Sequence, residues 1–374
     1  MRITELRTPQ VLIERSRLES NITRMQEAAN ARRLRLRPHS KTHKSPAVAR
    51  LQLQRGAVGI CCAKLGEAEV FAEAGVADIR LPYPIQPSNS DRVLALMDRA
   101  AISIIVDNPT VALGWSVAMR AAHRRLDVLV KVDVGFHRCG IDPDAPDAVA
   151  FVREIASLPG LRLRGLLSHA GHGYHAKSED ELRRIAGAEA AIHQRLVSAV
   201  RAEGVVLEET SVGATPTVRF SLDESGLTEL RPGNYVYYDR TQVSLGAAAL
   251  ADCALSVMAT VVSRPTPDRI ILDCGSKTLS SDVARGFDPP PGYGAVFSDL
   301  DADAPDARFL IERLSEEHAT VRVTSGAANV HAGDRVRVLP NHACTVSNLL
   351  DRVYLVDGLT VVDTLEVAAR GKIW

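Results

Sequence analysis

Apolar positions along the chain fall into short continuous or alternating runs, separated by longer stretches with helical spacing. Residues 8–14 alternate as a strand, and Ser16-x-x-Glu19 then offers a capping box opening a helix with Leu18, Ile22, Met25 and Ala29 along one face. The Leu34/Leu36 alternation predicts a short strand that runs into a loop at Arg37-Pro38, because proline disfavours the helical region for its predecessor. Ser45-Pro46 places a cap and then a proline at the start of another helix, and residues 57–62 form an all-apolar strand. Helices are predicted at 65–74, 90–99, 110–123, 145–157 and 178–202. Strands alternate with them at 79–82, 102–106, 126–134, 163–169 and near Glu209 and Leu230. Buried strands separated by amphipathic helices imply parallel strands joined by crossovers. About eight such repeats in some 240 residues favour a closed barrel over an open sheet.

From about Ala248 the pattern changes to short β-rich runs at 254–262, 269–273, 320–323, 335–339 and 353–356, punctuated by Gly, Pro and Asp. No long helical pattern intervenes, so a second, mostly antiparallel β domain is expected. The expected division is a barrel at 8–247 and a β domain at 248–374, with residues 1–7 packing on the latter. A chain of 374 residues exceeds a typical single core, in keeping with two domains. Residues 299–306, rich in Asp and Ala, read as an exposed loop.

Composition narrows the function classes. Lys+Arg and Asp+Glu both number 45, so no overall charge draws the chain to nucleic acid or an anionic membrane. No apolar run approaches the ~20 residues of a membrane helix, and a cytoplasmic location is the default expectation. The six cysteines are scattered rather than set in a disulfide framework, and read as mostly buried thiols.

Six segments could carry chemistry. Arg37-Pro38-His39-Ser40-Lys41-Thr42-His43-Lys44 crowds a lysine among basic groups, which disfavours its ammonium form; the bland alternative is a solvated basic turn. Val132-Asp133-Val134-Gly135-Phe136-His137-Arg138 follows an apolar strand and puts Arg138 at a carboxyl end, where barrel enzymes build their sites. Ser168-His169-Ala170-Gly171-His172-Gly173-Tyr174-His175 gathers three histidines at another strand end, suggesting metal, acid–base or substrate contact. Ser211-Val212-Gly213-Ala214-Thr215-Pro216-Thr217 joins small residues to hydroxyls after a short strand, as a phosphate cradle does, although alone this signal is weak. In Pro340-Asn341-His342-Ala343-Cys344, an extended backbone would point His342 and Cys344 to one side. They suit zinc, yet by spacing alone a buried cysteine beside a core histidine reads as packing. Lys277, in Asp273-Cys274-Gly275-Ser276-Lys277, either lines a site or is a surface charge.

Together, in this order, these motifs resemble the D-threonine aldolase and D-serine dehydratase family, relatives of alanine racemase, over nearly the whole chain. The resemblance implies an α/β fold with an alanine-racemase-like (β/α)8 barrel and a β domain. It implies pyridoxal 5'-phosphate held as a Schiff base on Lys41, with Arg138 at the phenolic oxygen and His169 beside the cofactor. Phosphate contacts fall to Gly213, Thr215, Gly233 and Asn234, and the pyridine nitrogen to either Tyr174 or Arg231. A divalent metal falls to His342 and Cys344, with zinc suggested by the thiolate and manganese or magnesium as alternatives. Aldolases of the family carry a histidine where Tyr174 stands, and an aspartate where Cys344 stands. Both departures imply elimination of water from a D-3-hydroxyamino acid such as D-serine or D-threo-3-hydroxyaspartate. The alternatives are an aldolase acting on D-threonine or 3-hydroxyaspartate and, in a different class, a non-catalytic pyridoxal-phosphate-binding protein. The family also implies a homodimer, with no nucleic-acid or membrane partner.

Overall fold

The computed structural model describes residues 1–374, which build two sheets. One has eight strands in the order Arg35–Leu36, Glu229–Leu230, Glu209–Val212, Leu161–Leu167, Leu126–Lys131, Ala101–Val106, Asp78–Pro84 and Ile60–Cys61. Every pairing within it is parallel. His39, just past the first of these strands, bridges in parallel to Cys61 in the last, and Cys61 N–H donates to Pro38 O at 2.8 Å. The sheet therefore closes into a barrel. Its outer wall is helical because the intervening segments carry one apolar face. The helix Pro109–Ala121, capped by Asn108 accepting from Val111 N–H, buries Ala112, Trp115 and Met119. Trp115 Nε1–H donates to Ile85 O at 2.9 Å, so its one polar atom is satisfied inside the core.

The barrel interior holds paired charges. Glu229 accepts from Arg37 at 2.9 Å, from Arg80 and, at 2.6 Å, from Ser211, while Arg80 also bonds Glu209 at 2.7 Å. Ser211 in turn accepts from Arg231 Nε at 2.8 Å, linking this network to the carboxyl end of the barrel. Charges so buried persist only when each is paired and hydrogen-bonded.

The second sheet has nine strands. Its pairings are antiparallel except one, in which Gln10–Glu14 runs parallel to Arg352–Asp357. This placement corrects the expectation that the barrel begins at residue 8. A short apolar run satisfies either sheet, and only its distant partners, Leu255–Met258 and Tyr354–Val356, assign it to the β domain. Ile3 and Leu6 pack there as well, against Leu12, Met258 and Val356. The capping box is also corrected. The helix Arg15–Ala31 starts directly from the strand with Glu14 at its cap, so Ser16 already lies in the first turn and its hydroxyl bonds Glu14 instead. The apolar stretch 57–62 contributes only Ile60–Cys61. No helix is long and apolar enough to cross a membrane.

Candidate active site

The carboxyl ends of the barrel strands and one edge of the β domain enclose a cavity of about 360 Å³, large enough for a cofactor-sized ligand. Lys41 enters it from the single helical turn Ser40–Thr42 that follows the first barrel strand. That turn is anchored by Ser40 Oγ donating to Cys61 O at 2.8 Å and by Lys41 N–H donating to His39 Nδ1 at 3.3 Å. The amine is open to the cavity and enclosed by protein elsewhere. Burial lowers its pKa, Arg138 and Arg231 add to the effect, and Cys344 and Glu67 oppose it. The expected crowding by neighbours in sequence is corrected. Arg37 turns to Asp78 and Glu229, Lys44 pairs with Glu67 at 3.1 Å, and His43 bonds the Ser45 backbone. Side chains leaving a turn point in different directions, so the cations that act on Lys41 come from other strands.

Arg138 lies in the loop after Leu126–Lys131, its guanidinium 5.2 Å from the centre of the Phe136 ring. Asp133 shapes that loop by accepting from Gly135 N–H and His137 N–H, each at 3.0 Å. Lys131, buried beneath, has its pKa pulled down to about 7 by burial and then by Arg231. His169 follows Leu161–Leu167; its Nδ1 donates to Gly213 O, which leaves Nε2 as the nitrogen without a proton. Burial and then Lys41 hold this imidazole neutral, well below its ordinary pKa. Tyr174 reaches the cavity from the turn Gly171–His175, and burial, with Cys344 and Asp239, raises its phenol pKa. His172 and His175 do not line the cavity, so one of the three clustered histidines faces the site.

Gly213 and Gly233 are small for a local reason. A Cβ at 213 would lie 2.8 Å from the Arg231 carbonyl, and one at 233 would lie 3.1 Å from His39 O and Thr42 Oγ1. Beside them the buried Thr215 hydroxyl lacks a protein hydrogen-bond partner, as a group awaiting an anion would. Asn234 faces the other way: its Nδ2 donates to Asp239 Oδ2 at 2.6 Å and lies 3.4 Å from Cys344 Sγ. Arg231 lines the cavity while bonded to Ser211 Oγ and Ser168 O.

His342 and Cys344 meet in the same cavity, but not on an extended strand as expected. The strand Arg335–Leu339 ends before them; His342 is extended (φ −143, ψ 100) and caps the short helix Ala343–Ser347, which contains Cys344. Their convergence comes from a cap and first turn rather than from strand alternation. His342 Nδ1 bonds Asp282 Oδ2 at 2.6 Å, which directs Nε2 to the cavity. Burial opposes charge on this imidazole, yet Cys344 and Asp282 outweigh it and raise the pKa to about 10. Burial likewise opposes the thiolate, and His342 with Thr42 still draws the Cys344 pKa down. A nitrogen and a thiolate, with a carboxylate orienting the imidazole, form a donor set suited to zinc. No group of three His, Cys, Asp or Glu side chains is arranged to hold a metal. A metal held by this pair would need its remaining ligands from outside the chain.

The eleven residues to which the family resemblance gives a role therefore line one cavity. Missed were Gln242 and Asp282, whose segments carry no pattern, His39, which sits within the Lys41 motif without a role assigned to it, and Lys131, whose charge at the end of an apolar strand is a usable signal. Lys277 is elsewhere, paired on the surface with Glu316 at 2.9 Å and Glu317 at 2.7 Å.

A closed parallel barrel is joined here to an antiparallel sheet, with a lysine and a His/Cys pair sharing one cavity between them. Residues 13–241 match the family "Alanine racemase, N-terminal domain" and residues 254–356 the "Putative serine dehydratase domain"; the chain belongs to this family. It is 33% identical to a D-threonine aldolase of Arthrobacter sp over 368 residues, covering 97% of this chain and 93% of that one. It is 34% identical to the D-threo-3-hydroxyaspartate dehydratase of Delftia sp. (strain HT23) over 348 residues, 91% of each chain. The solved structure of that dehydratase superposes with a TM-score of 0.91 at 33% identity, covering 98% of both chains. A cysteine-to-alanine variant of D-threo-3-hydroxyaspartate dehydratase in the metal-free form is equally similar, with a TM-score of 0.91 and 34% identity over 98% of both chains.

Proposed function

We propose that this protein is a pyridoxal-phosphate- and divalent-metal-dependent dehydratase. It converts a D-3-hydroxyamino acid, with D-serine and D-threo-3-hydroxyaspartate as the leading candidates, into a 2-oxo acid and ammonia. The observation that carries this reading is the meeting of Lys41 with the His342/Cys344 pair in one cavity. The unpartnered Thr215 hydroxyl and the close-packed Gly213 and Gly233 fit a phosphate, and Asn234 contributes through its backbone beside them. Arg138 fits the phenolic oxygen, and His169 and Tyr174 fit the ring's surroundings. The His/Cys donors fit zinc better than manganese or magnesium, which prefer oxygen. That a metal-free form of the D-threo-3-hydroxyaspartate dehydratase variant is distinguished as such supports a resident metal.

When bound, the cofactor supplies an electron sink for the α-carbon and the metal a Lewis acid for the β-hydroxyl. Lys41 Nζ, whose proton burial makes easier to lose, would take the proton from Cα, and its place on one wall would select the face and hence the hand of the substrate. In the elimination the Cβ–O bond would break, the electron pair of the former Cα–H bond would form the Cα=Cβ bond, and the oxygen would leave as water with the proton that Lys41 removed from Cα. Hydrolysis of the resulting enamine gives 2-oxo acid and ammonia. Aldol cleavage instead needs a base on the β-hydroxyl, and the raised pKa of Tyr174 keeps its phenol protonated at neutral pH.

The test is turnover of D-serine, D-threonine and D-threo-3-hydroxyaspartate with and without chelator. Expected products are 2-oxo acid and ammonia, suppressed by chelator; glycine and an aldehyde as main products would establish the aldolase. Lys41→Ala should remove the absorbance near ~420 nm expected of a lysine-bound pyridoxal cofactor. Persistence of that band would place the cofactor on another lysine. We further propose a cytoplasmic homodimer; six unpaired cysteines suit a reducing compartment, and sedimentation velocity checks the assembly.

A further inference from the structure

The segment from Ser280 to Phe287 forms the β-domain wall of the cavity mouth, through Ser281, Asp282, Val283 and Arg285. It has no helical or strand structure around Arg285, yet its backbone is pinned. Asn341 Nδ2 donates to Asp282 O at 3.0 Å, Arg285 N–H to Thr241 Oγ1 at 3.2 Å, and Phe287 N–H to Ser244 O at 3.2 Å. Gly286 sits at φ +132 with its missing Cβ 2.4 Å from Ser244 Oγ, so only glycine allows this approach. The root of the exposed Arg285 side chain is thus held in place by Thr241, Ser244 and Asn341, the last of these adjacent to His342 in the chain.

Five cationic side chains line the cavity, Lys41, Lys131, Arg138, Arg231 and Arg285, against one carboxylate, Asp282. Asp282 is committed to His342 and Thr345. Arg231 is engaged by Ser168 and Ser211, Lys131 is buried at the end of its strand, and Lys41 and Arg138 have their tasks in the reading above. Arg285 remains, with its guanidinium joined to no hydrogen bond or ion pair of the chain, on the wall that carries the partner of His342.

We infer that Arg285 is a specificity-determining residue that reads a second carboxylate on the β-carbon of the substrate, so that the preferred substrates are D-3-hydroxy dicarboxylic amino acids. This rests on the reading in which the β-hydroxyl meets His342 and Cys344, for then the remaining β-substituent points toward the 281–285 wall. A guanidinium there binds carboxylate through two parallel hydrogen bonds, whereas the hydrogen of serine or the methyl of threonine gains nothing from it.

The test uses the full chain loaded with pyridoxal phosphate and zinc, titrated calorimetrically with (R)-malate and (R)-lactate, which differ in the β-carboxylate. The wild type should bind malate at least about tenfold more tightly, Arg285→Leu should lose that preference, and Arg285→Lys should retain part of it. The ratio of kcat/KM for D-threo-3-hydroxyaspartate over D-serine should fall at least about thirtyfold in Arg285→Leu. Equal binding of the two acids by the wild type overturns the inference, as does an Arg285→Leu variant that weakens both equally. A malate preference that depends on Arg285, without turnover of any D-3-hydroxyamino acid, upholds the dicarboxylate site and removes the dehydratase instead.

Discussion

Asparagine at position 282 keeps the shape of the side chain while removing the charge that holds His342. In the wild type, Asp282 Oδ2 lies 2.6 Å from His342 Nδ1, and Thr345 Oγ1 donates to the same oxygen at 3.2 Å. That contact holds a proton on Nδ1, so Nε2 is the nitrogen that a cation would take by displacing its proton. Carboxylates in this position are worth about 10- to 100-fold in metal affinity, or roughly 1.4–2.7 kcal/mol. The two side chains are 40% and 45% exposed, so water screens part of the interaction and the expected loss falls near the lower end, about tenfold. Competition for zinc against a fluorescent chelator measures it directly. Turnover at saturating zinc should recover, because Asp282 acts on the ligand rather than on the substrate. Unchanged zinc affinity in Asp282→Asn, or turnover that stays low at saturating zinc, would refute this reasoning.

Gly213→Ala places a Cβ 2.8 Å from the Arg231 carbonyl, so the loop must move. The expected cost is about 1–3 kcal/mol of overpacking and a weaker hold on pyridoxal phosphate, read by thermal melting and by fluorescence titration of the cofactor; affinity equal to wild type would separate this loop from the phosphate. Glu229 predicts an acid limit. Burial opposes its charge, but Arg80 and Arg37 outweigh it and lower the pKa from 4.5 to about 2. Its stabilising contribution is therefore fully present above pH ~4.5 and lost as pH falls toward ~2, and is worth on the order of 3 kcal/mol. Glu229→Gln should lower stability at pH 7 and flatten the decline across that window in denaturant titrations, whereas an unaltered acid limb would assign the decline to other groups.

How far the chain's local pattern carried is clearest from particular elements. Helices such as Glu179–Ala202 and Leu65–Glu73 fall within a residue of their expected bounds, because an apolar stripe at helical spacing is a local property. Gln10–Glu14 was assigned to the wrong sheet, because its register depends on residues more than 240 positions away. The Lys41 motif marks a lysine that lines the cavity but not its electrostatics: Arg37 and Lys44, close by in the chain, are neutralised by acids of other elements, and Arg138 and Arg231 act in their place.

The sequence by itself determined the alternation of strands and helices, the change of character near residue 248, and the identity of the lysine, glycines and His/Cys pair. The first two are carried by residue type and short-range spacing, and the last by the order of the motifs along the chain and their resemblance to a family. Only the tertiary structure decided that they share one cavity and that Asp282 orients His342 from 60 residues away. It also decided that Arg285 is left without a partner of its own. Pairing of charges depends on which strands close the barrel and how the β domain sits on its carboxyl end, and no local pattern encodes that.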